Sequence, residues 1–348
     1  MANMKGIVVT APGVVQVRED IPIPVPGDYE VLCRVHACGI CNGTDFQIIN
    51  GTMGTEAGFQ GYPTVLGHEG AGEIIALGSK VRYLKVGQRC IHANLRPEVG
   101  NGYKKTFGGM AEYGLGVDYR AMLEDGVVDE QALPFNGKFH TFPDEISYED
   151  GALILSLSEC NSAVKNFGIN KGSRVLIYGA GPMGMGLARF MRLAGASHIT
   201  TVDMVADRLE RTKRVAQVDR ILNASLEEPA AVLADEQFDF VVDAVGSSKI
   251  LIDGSYFLRP GGKVCSLGVL KKADSAVAVT LMKNNTMLHM LNQPFGEYAI
   301  MDATISHIIK KEIFPKDFYS HVIPVSDIDV ALELVRTKTA MKVVLSFE

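Results

Sequence analysis

The sequence predicts an α/β fold in which a β-rich domain is combined with a doubly wound parallel sheet. Its 348 residues exceed what one hydrophobic core usually supports, so two domains are expected. Residues 1–130 read as short strand-like segments separated by Gly and Pro, which is typical of a barrel or sandwich. From Tyr148 onward strands alternate with helices, and that alternation is typical of a parallel sheet.

The β-rich part contains short segments with the composition and the alternation of strands. They are Gly6–Thr10, Val14–Arg18, Val31–His36, Ala71–Leu77, Gln88–Ala93 and Met110–Tyr113. Between the last two, Asn94–Gly109 is rich in polar residues and Gly, so loops are expected to predominate there.

The second part begins with apolar residues at helical spacing over Tyr148–Phe167. Strands are then predicted at Arg174–Tyr178, His198–Asp203, Asp239–Asp243 and Lys263–Leu267, with helices at Gly181–Ala194 and Ala206–Val215. After Pro294 the pattern predicts helices at Tyr298–Lys311 and Ile328–Lys338, and strands at Tyr319–Pro324 and Lys342–Phe347.

Charge and composition argue against several classes of partner and against disulfide bonds. A net charge of −6 gives no electrostatic reason to expect a nucleic-acid partner, because phosphate binding needs clustered Lys and Arg. No apolar run reaches the ~18 residues that span a bilayer, so no membrane partner is expected. The start lacks the apolar segment of a secretory signal, which favours a cytoplasmic location. The six cysteines therefore indicate metal binding or burial rather than disulfides.

A glycine-rich turn lies between a predicted strand and a predicted helix. Gly179, Gly181 and Gly184 form G-x-G-x-x-G, in which the glycines permit the tight turn, the approach of a pyrophosphate and close helix packing. Asp203 closes the next strand, where a carboxylate receives ribose hydroxyls and repels a 2′-phosphate, so NAD is favoured over NADP. Arg208 is weak evidence for NADP, because an arginine there can pair with a 2′-phosphate. The alternative is that Arg208 simply lies on the helix surface. A structural turn followed by a helix-capping Asp is the other interpretation of the whole pattern.

Candidate metal ligands cluster in two segments of the β-rich part. Cys38-Gly-Ile-Cys41 precedes Thr44, and a second segment contains His68 followed by Glu69. Thiolate, imidazole and carboxylate are the ligand types that zinc prefers. Taken singly, each residue has a structural interpretation: a core thiol, a hydrogen-bonded loop histidine or a solvated carboxylate.

These motifs together resemble the zinc-containing medium-chain dehydrogenase/reductase family. The resemblance extends over nearly the whole chain and also includes Gly87, Gly108–Tyr113, Asp243–Gly246 and the closing Lys342–Leu345. It implies a GroES-like catalytic domain (1–150), a Rossmann NAD-binding domain (151–294) and a C-terminal segment (295–348) that returns to the catalytic domain. It also implies a homodimer or homotetramer, for which Lys263–Leu270 followed by Ala276–Val279 is the expected pairing edge.

The resemblance assigns roles around one catalytic zinc. Cys41 and His68 become ligands, Glu69 an alternative ligand or neighbour of the metal, and Thr44 the hydroxyl that relays the alcohol proton. Asp45 becomes the carboxylate that orients the site.

The sequence departs from the family pattern in three places. One extra residue separates Cys41 from Thr44. Leu155 falls where the family supplies a third ligand, which leaves Glu69 or Glu159 to complete the shell, with Cys160 as a further candidate. The segment from Ile91 to Tyr113 contains no cysteine, so no structural zinc is expected.

The expected cofactor-binding residues are those of the glycine-rich turn, the strand ends beside it and one basic residue near the C-terminus. They are Gly179, Gly181, Pro182, Met183, Gly184, Asp203, Arg208, Val245, Leu267 and Lys342. A surface lysine on an edge strand is the alternative for Lys342.

The resemblance implies NAD-linked oxidation of a secondary alcohol to a ketone, with a small alcohol or polyol as substrate. Polar loop residues favour a polyol, sugar or cyclitol; they are His92, Asn94, Arg96, Asn101, Asn284, Asn285 and Asn292. A zinc-free, NADPH-dependent enone or quinone reductase on the same fold and a non-catalytic NAD-binding protein are the alternatives.

Overall fold

The computed structural model describes residues 2–55, 58–129, 139–268, 270, 274, 276–283 and 285–347. The chain divides into two compact units, one made of Met1–Leu155 with Met301–Glu348 and the other of Ser156–Ile300. In the part of the chain that is described, no helix is both long and apolar enough to cross a membrane.

The N-terminal part of the first unit consists mainly of short strands. They are β1 (Asn3–Ala11), β2 (Val14–Pro22), β3 (Glu30–Gly39), β4 (Thr64–Val65), β5 (Glu69–Leu77), β6 (Arg89–Ile91), β7 (Glu98–Gly100), β8 (Tyr103–Lys105), β9 (Tyr113–Val117) and β10 (His140–Phe142). The helices are α1 (Thr44–Ile49), α2 (Tyr119–Glu124) and α3 (Tyr148–Gly151). Helices α2 and α3 begin where the side chains of Asp118 and Ser147 accept backbone N–H groups of the first turn.

The second unit alternates strands and helices. Its elements are α4 (Ile154–Phe167), which begins at the boundary, β11 (Arg174–Tyr178), α5 (Pro182–Leu193), β12 (His198–Asp203), α6 (Ala206–Ala216), β13 (Arg220–Asn223), α7 (Pro229–Val232), β14 (Phe238–Asp243), α8 (Ser248–Gly254), β15 (Leu258–Ser266) and β16 (Met287–Met290). The strands pair in parallel in the order β13-β12-β11-β14-β15-β16. This is the doubly wound Rossmann order, which confirms the predicted fold class.

The C-terminal residues belong to the first unit. They form α9 (Met301–Ile309), β17 (His321–Pro324), α10 (Ile328–Arg336) and β18 (Val343–Ser346). Strand β18 pairs antiparallel with β3 and parallel with β17, which extends one sheet to the order β10-β6-β5-β3-β18-β17, with β9 also paired to β3. A second sheet has the order β2-β1-β4-β8-β7. Buried side chains of β3, β5, α1 and β18 form the main apolar core of this unit.

Loops predominate in Asn94–Gly109 as predicted, although the segment also contains the short strands β7 and β8. Two other sequence predictions were wrong in detail. The strand predicted at Met110–Tyr113 instead begins at Tyr113. The residues before it make single backbone hydrogen bonds: Gly109 and Met110 donate to the carbonyls of Gly67 and Leu66, and the carbonyl of Met110 accepts from Ile7. The expected pairing edge at Lys263–Leu270 is not an edge, since β15 lies between β14 and β16.

Candidate functional site

The register of three neighbouring strands brings Glu69 and Lys342 together over Gly39. Gly39 lies opposite Glu69 in the β3–β5 pair and opposite Val344 in the β3–β18 pair. A Cβ atom on Gly39 would collide with the Glu69 carboxylate and touch the Lys342 side chain. The absence of a side chain at Gly39 is therefore what gives the two charged groups room to meet.

Lys342 and Glu69 form a buried ion pair. The ammonium lies 2.7 Å from Glu69 Oε1 and 2.6 Å from Oε2, and the two side chains are 6% and 2% exposed. Sequence reasoning expected Lys342 beside the cofactor phosphates, whereas its described contact is with the carboxylate of a candidate metal ligand. No local sequence signal points to this pair, because its members are 273 positions apart.

Cys41, His68 and Glu69 form a group that can hold a metal ion. Among the described residues, one ligand atom from each of the three lies within 4.8 Å of the other two. Nε2 of His68 is 3.9 Å from Oε1 of Glu69. Zinc bonds of about 2.0–2.3 Å in a tetrahedron require ligand atoms roughly 3.3–3.8 Å apart, so the three groups need only small movements to enclose an ion.

Asp45 lies directly behind this group. Its carboxylate is fully buried, with Oδ2 accepting the backbone N–H of Cys41 at 2.8 Å and Oδ1 at 3.6 Å from Nδ1 of His68. Burial by itself would lower the pKa of His68, but the Asp45 carboxylate and the Cys41 thiol raise that pKa well above its ordinary value. A carboxylate on the far side of a ligating imidazole fixes the ring orientation in zinc sites.

The two cysteines of the C-x-x-C segment differ in environment. Cys38 is fully buried in β3, and burial raises the pKa of its thiol well above the ordinary value. Cys41 follows the strand and is half-buried. Cys38 is therefore a core residue, and Cys41 supplies the sulfur of the candidate metal group.

The remaining predicted residues of the catalytic group are not among the three candidate metal ligands. Thr44 begins α1 after Gly43, and its hydroxyl makes no hydrogen bond to any of the described residues. Glu159 lies on α4, accepts a hydrogen bond from Gln293 and is not part of the Cys41 group. The thiol of Cys160 donates to the carbonyl of Met183 at 3.4 Å.

His92 and Phe107 complete the surroundings of His68. The sequence suggested His92 only as one of the polar loop residues that favour a polyol, and it gave Phe107 no role. The Nδ1–H of His92 donates to the carbonyl oxygen of His68 at 2.8 Å, and the ring of Phe107 lies 5.1 Å from the His68 ring. His92 adopts a φ of 63°, so the bend of the backbone directs its ring toward His68. Both contacts restrict the motion of the His68 loop.

We expect His92 to make the protein less stable in acid. Burial lowers the pKa of His92 from an ordinary 6.5 to about 4. As the pH falls from 6.5 to 4, the histidine is protonated in the unfolded chain but not yet in the folded one. The free energy of unfolding therefore decreases over this interval. In His92→Asn, which tolerates the left-handed backbone, the decrease should be smaller. Urea midpoints of the wild type and the variant at pH 7, 5.5 and 4.5, with a chelator present, measure this loss of stability. Equal decreases in both proteins would contradict the assignment.

The glycine-rich turn connects β11 to α5 in the second unit. Gly179 has a φ of 108°, which favours glycine. A Cβ atom on Gly184 would collide with the carbonyl oxygen of Gly179, so helix and turn approach more closely than any side chain permits. Gly181 precedes Pro182, which begins α5, and Met183 follows it, so the free N–H groups of the helix start are available to an anion.

Asp203 and Arg208 lie beside this turn. The carboxylate of Asp203 accepts the N–H of Ala180 at 2.6 Å and that of Val205 at 2.9 Å, which leaves further lone pairs for ribose hydroxyls. A guanidinium nitrogen of Arg208 lies 3.9 Å from the point that a Cβ on Gly181 would occupy. An acidic and a basic group thus both flank the expected position of the cofactor.

Asp243 organises the next loop, a role that sequence reasoning missed although the residue ends a buried strand. It is fully buried, and its carboxylate accepts the N–H groups of Val245, Gly246 and Ser247. Val245 is 56% exposed, and a Cβ on Gly179 would lie 3.1 Å from its methyl group. The N–H of Leu267, which follows β15, donates to the carbonyl of Asp243, the last residue of β14. The predicted cofactor residues Val245 and Leu267 therefore lie just after two adjacent strands.

Family models match both parts of the chain. The model of the alcohol dehydrogenase GroES-like domain matches residues 27–130, and that of zinc-binding dehydrogenases matches residues 182–305. The chain belongs to the zinc-containing medium-chain dehydrogenase/reductase family. The predicted GroES-like and Rossmann architecture is thereby confirmed.

Proteins of related sequence or structure match nearly the full chain. Sorbitol dehydrogenase from Ovis aries is 28% identical over 99% of this chain and 96% of its own length, and the enzyme from Bombyx mori is 28% identical over 94% of both. An alcohol dehydrogenase from Escherichia coli with NADH has a TM-score of 0.80 at 21% identity and covers all of both chains. A zinc-binding dehydrogenase from Sinorhizobium meliloti bound to NADP has a TM-score of 0.79 at 23% identity over the same coverage.

Proposed function

We propose that the protein is a zinc-dependent, NAD-linked dehydrogenase that oxidises a secondary alcohol of a polyol, sugar or cyclitol to a ketone. The observation that carries the proposal is the group of Cys41, His68 and Glu69, whose ligand atoms lie within 4.8 Å of one another. The glycine-rich turn with Asp203 supports the cofactor, and the likeness to sorbitol dehydrogenases supports the substrate class.

The donor set fits a catalytic zinc. One thiolate, one imidazole and one carboxylate leave the fourth position of a tetrahedron open to substrate. When bound, the ion supplies Lewis acidity that favours loss of the alcohol proton. The Glu69 carboxylate is neutralised on one side by Lys342, and Asp45 orients His68 from behind. We include Glu159 only as an alternative ligand, because it is outside the group found among the described residues.

The chain's own residues carry the proton and hold the hydride acceptor. The Thr44 hydroxyl has no hydrogen-bond partner among the described residues, so it is available to accept the alcohol proton while it releases its own proton to solvent. The turn at Gly179–Gly184 would hold the pyrophosphate of NAD, and the bound nicotinamide would supply the hydride acceptor. We further propose that the protein is a homodimer or homotetramer, which light scattering measures.

Zinc quantification combined with a substrate panel tests the proposed function. We expect one zinc per chain, with none in a structural site, and NADH formation with at least one polyol, sugar alcohol or cyclitol. The same panel run with NADP gives the cofactor preference. Full activity in metal-free protein, or NADPH-dependent reduction of an enone or quinone without polyol oxidation, would contradict the proposal and support the zinc-free alternative.

Asp203 should determine the preference for NAD. In Asp203→Ser the ribose hydroxyls lose a charged acceptor, worth about 1.5–3 kcal/mol, so the KM for NAD should rise roughly 10- to 100-fold. The KM for NADP should fall, because repulsion of the 2′-phosphate is removed and Arg208 remains. Adding Arg208→Gln to Asp203→Ser should raise the KM for NADP again, because the guanidinium that pairs with the 2′-phosphate is removed. An unchanged ratio of the two constants in Asp203→Ser would refute the assignment.

A further inference from the structure

Lys105 is a half-buried cation with one polar contact among the described residues. It ends β8, and its ammonium donates to Oδ1 of Asn94 at 3.2 Å. No carboxylate of the described residues lies within 4.0 Å of this ammonium, and burial lowers the pKa of Lys105 with no neighbouring anion to offset it. A cation withdrawn from water without a counter-charge is costly, so the arrangement lacks an anionic partner.

Asn94 provides a second donor at the same place. Its Oδ1 accepts both the Lys105 ammonium and the N–H of Leu95, which fixes the orientation of the amide. The NH₂ group of that amide donates to none of the described residues. An ammonium and an amide N–H group are therefore held together as donors, and anionic oxygens are the acceptors that match such a pair.

This donor pair lies in the same region of the first unit as the candidate metal group. Phe107, two residues after Lys105, packs against the ring of His68. His92, two residues before Asn94, bonds to the carbonyl of His68. Besides burial, the charges of His68 and Lys105 both act on His92 and lower its pKa, so both groups are near this imidazole.

We infer that Lys105 and Asn94 bind an anionic group of the alcohol substrate, a phosphate or a carboxylate, so that the preferred substrate is a polyol phosphate or a polyhydroxy acid. This inference rests on the proposed function. It makes Lys105 a specificity-determining residue that anchors the substrate while the hydroxyl to be oxidised faces the metal group.

The adjacent Lys104 offers a matched control. Its side chain is exposed, and its ammonium donates to the carbonyl of Gln60 at 3.0 Å. Lys104→Met removes the same charge one position earlier in the chain. The comparison of Lys105→Met with Lys104→Met therefore separates a local contact from a general effect of charge.

The test compares sorbitol, sorbitol 6-phosphate and gluconate as substrates of the zinc-loaded protein. We expect an anionic compound to exceed sorbitol in kcat/KM, and the better of the two identifies phosphate or carboxylate as the ligand. Lys105→Met should lose about 10- to 100-fold with the anionic substrate and less than about 3-fold with sorbitol. Lys105→Arg should retain most of the preference, and Lys104→Met should behave as the wild type.

Two outcomes would overturn the inference: a preference of the wild type for sorbitol, or an equal loss with neutral and anionic substrates in Lys105→Met. Calorimetric binding of sorbitol 6-phosphate and gluconate, without NAD, gives a readout independent of turnover. Binding that depends on Lys105 in a protein that oxidises no alcohol would support the anion site and reject the proposed function. Turnover of sorbitol with no Lys105-dependent binding would reject the anion site alone.

Discussion

Replacing the sulfur of Cys41 is expected to remove both the zinc and the activity. In Cys41→Ser the group loses its thiolate, and a neutral hydroxyl is a poor ligand for zinc. Without the metal, nothing lowers the pKa of the alcohol, which stays far above neutral, so almost no alkoxide forms at neutral pH. We expect kcat to fall at least about 10³-fold, measured as NADH formation beside zinc content per chain.

Cys38→Ala is the matched control for this experiment. It deletes a sulfur three positions earlier in the same segment, but that thiol is buried in the core and is not part of the metal group. We expect it to retain one zinc per chain and activity within a small factor, at some loss of stability. If Cys41→Ser keeps its zinc and its turnover, or if Cys38→Ala loses both, the assignment of the ligand sulfur is incorrect.

The Rossmann part of the fold is predictable from local sequence. The strands at Arg174–Tyr178 and His198–Asp203 have the same limits in the sequence prediction and in the structure. The first is an apolar run that stops at Gly179, and the second is rich in β-branched residues and ends at Asp203. Strands β13 and β16, of four residues each, are too short to show such a pattern, and neither was predicted.

The N-terminal domain is less predictable because its strands depend on distant partners. Strands β7 and β8 are three residues each, and β8 pairs with β4, which is itself two residues long. Segments this short carry no periodicity, so their extended conformation is set by the neighbouring chain rather than by their own sequence.

The residues of the candidate site also divide into those that the local sequence predicts and those that depend on contacts between distant segments. Cys41, His68 and Glu69 can be selected from the sequence, since ligand chemistry and local spacing indicate them. The ion pair of Glu69 with Lys342 cannot, because it requires the pairing of β3 with β18 and a glycine at position 39 between them. The same holds for Lys105, whose contact with Asn94 depends on the fold of the intervening loop.

Glu69 can interact with two positive charges, the ammonium of Lys342 and a bound metal ion. This capacity decides whether Glu69 can serve as the third zinc ligand. Leu155, where the family supplies a ligand, is buried and carries no donor atom. A carboxylate has about four lone-pair sites on two oxygens, so Glu69 is able to accept from Lys342 and to bind an ion at once. Cys41, His68 and Glu69 could therefore hold an ion without a ligand from α4.

We expect Lys342→Met to destabilise the metal-free protein strongly and the zinc-loaded protein much less. The substitution leaves the Glu69 carboxylate buried and unpaired, and removal of one partner of a buried ion pair costs about 3–5 kcal/mol. Zinc bound beside Glu69 restores a positive charge to the same carboxylate and also stabilises the folded state by binding to it. Urea midpoints of wild type and variant, each with chelator and with excess zinc, measure the difference.

Two further variants make the result specific to the carboxylate. Lys342→Arg keeps the charge and should retain most of the stability, whereas Lys342→Met combined with Glu69→Gln removes both charges and should be more stable than Lys342→Met alone in chelator. In the double variant zinc should no longer give the larger protection, because the amide is a weaker ligand than the carboxylate. An equal loss of stability in Lys342→Met with and without zinc would mean that Glu69 does not touch the ion, and the metal shell would need another third ligand.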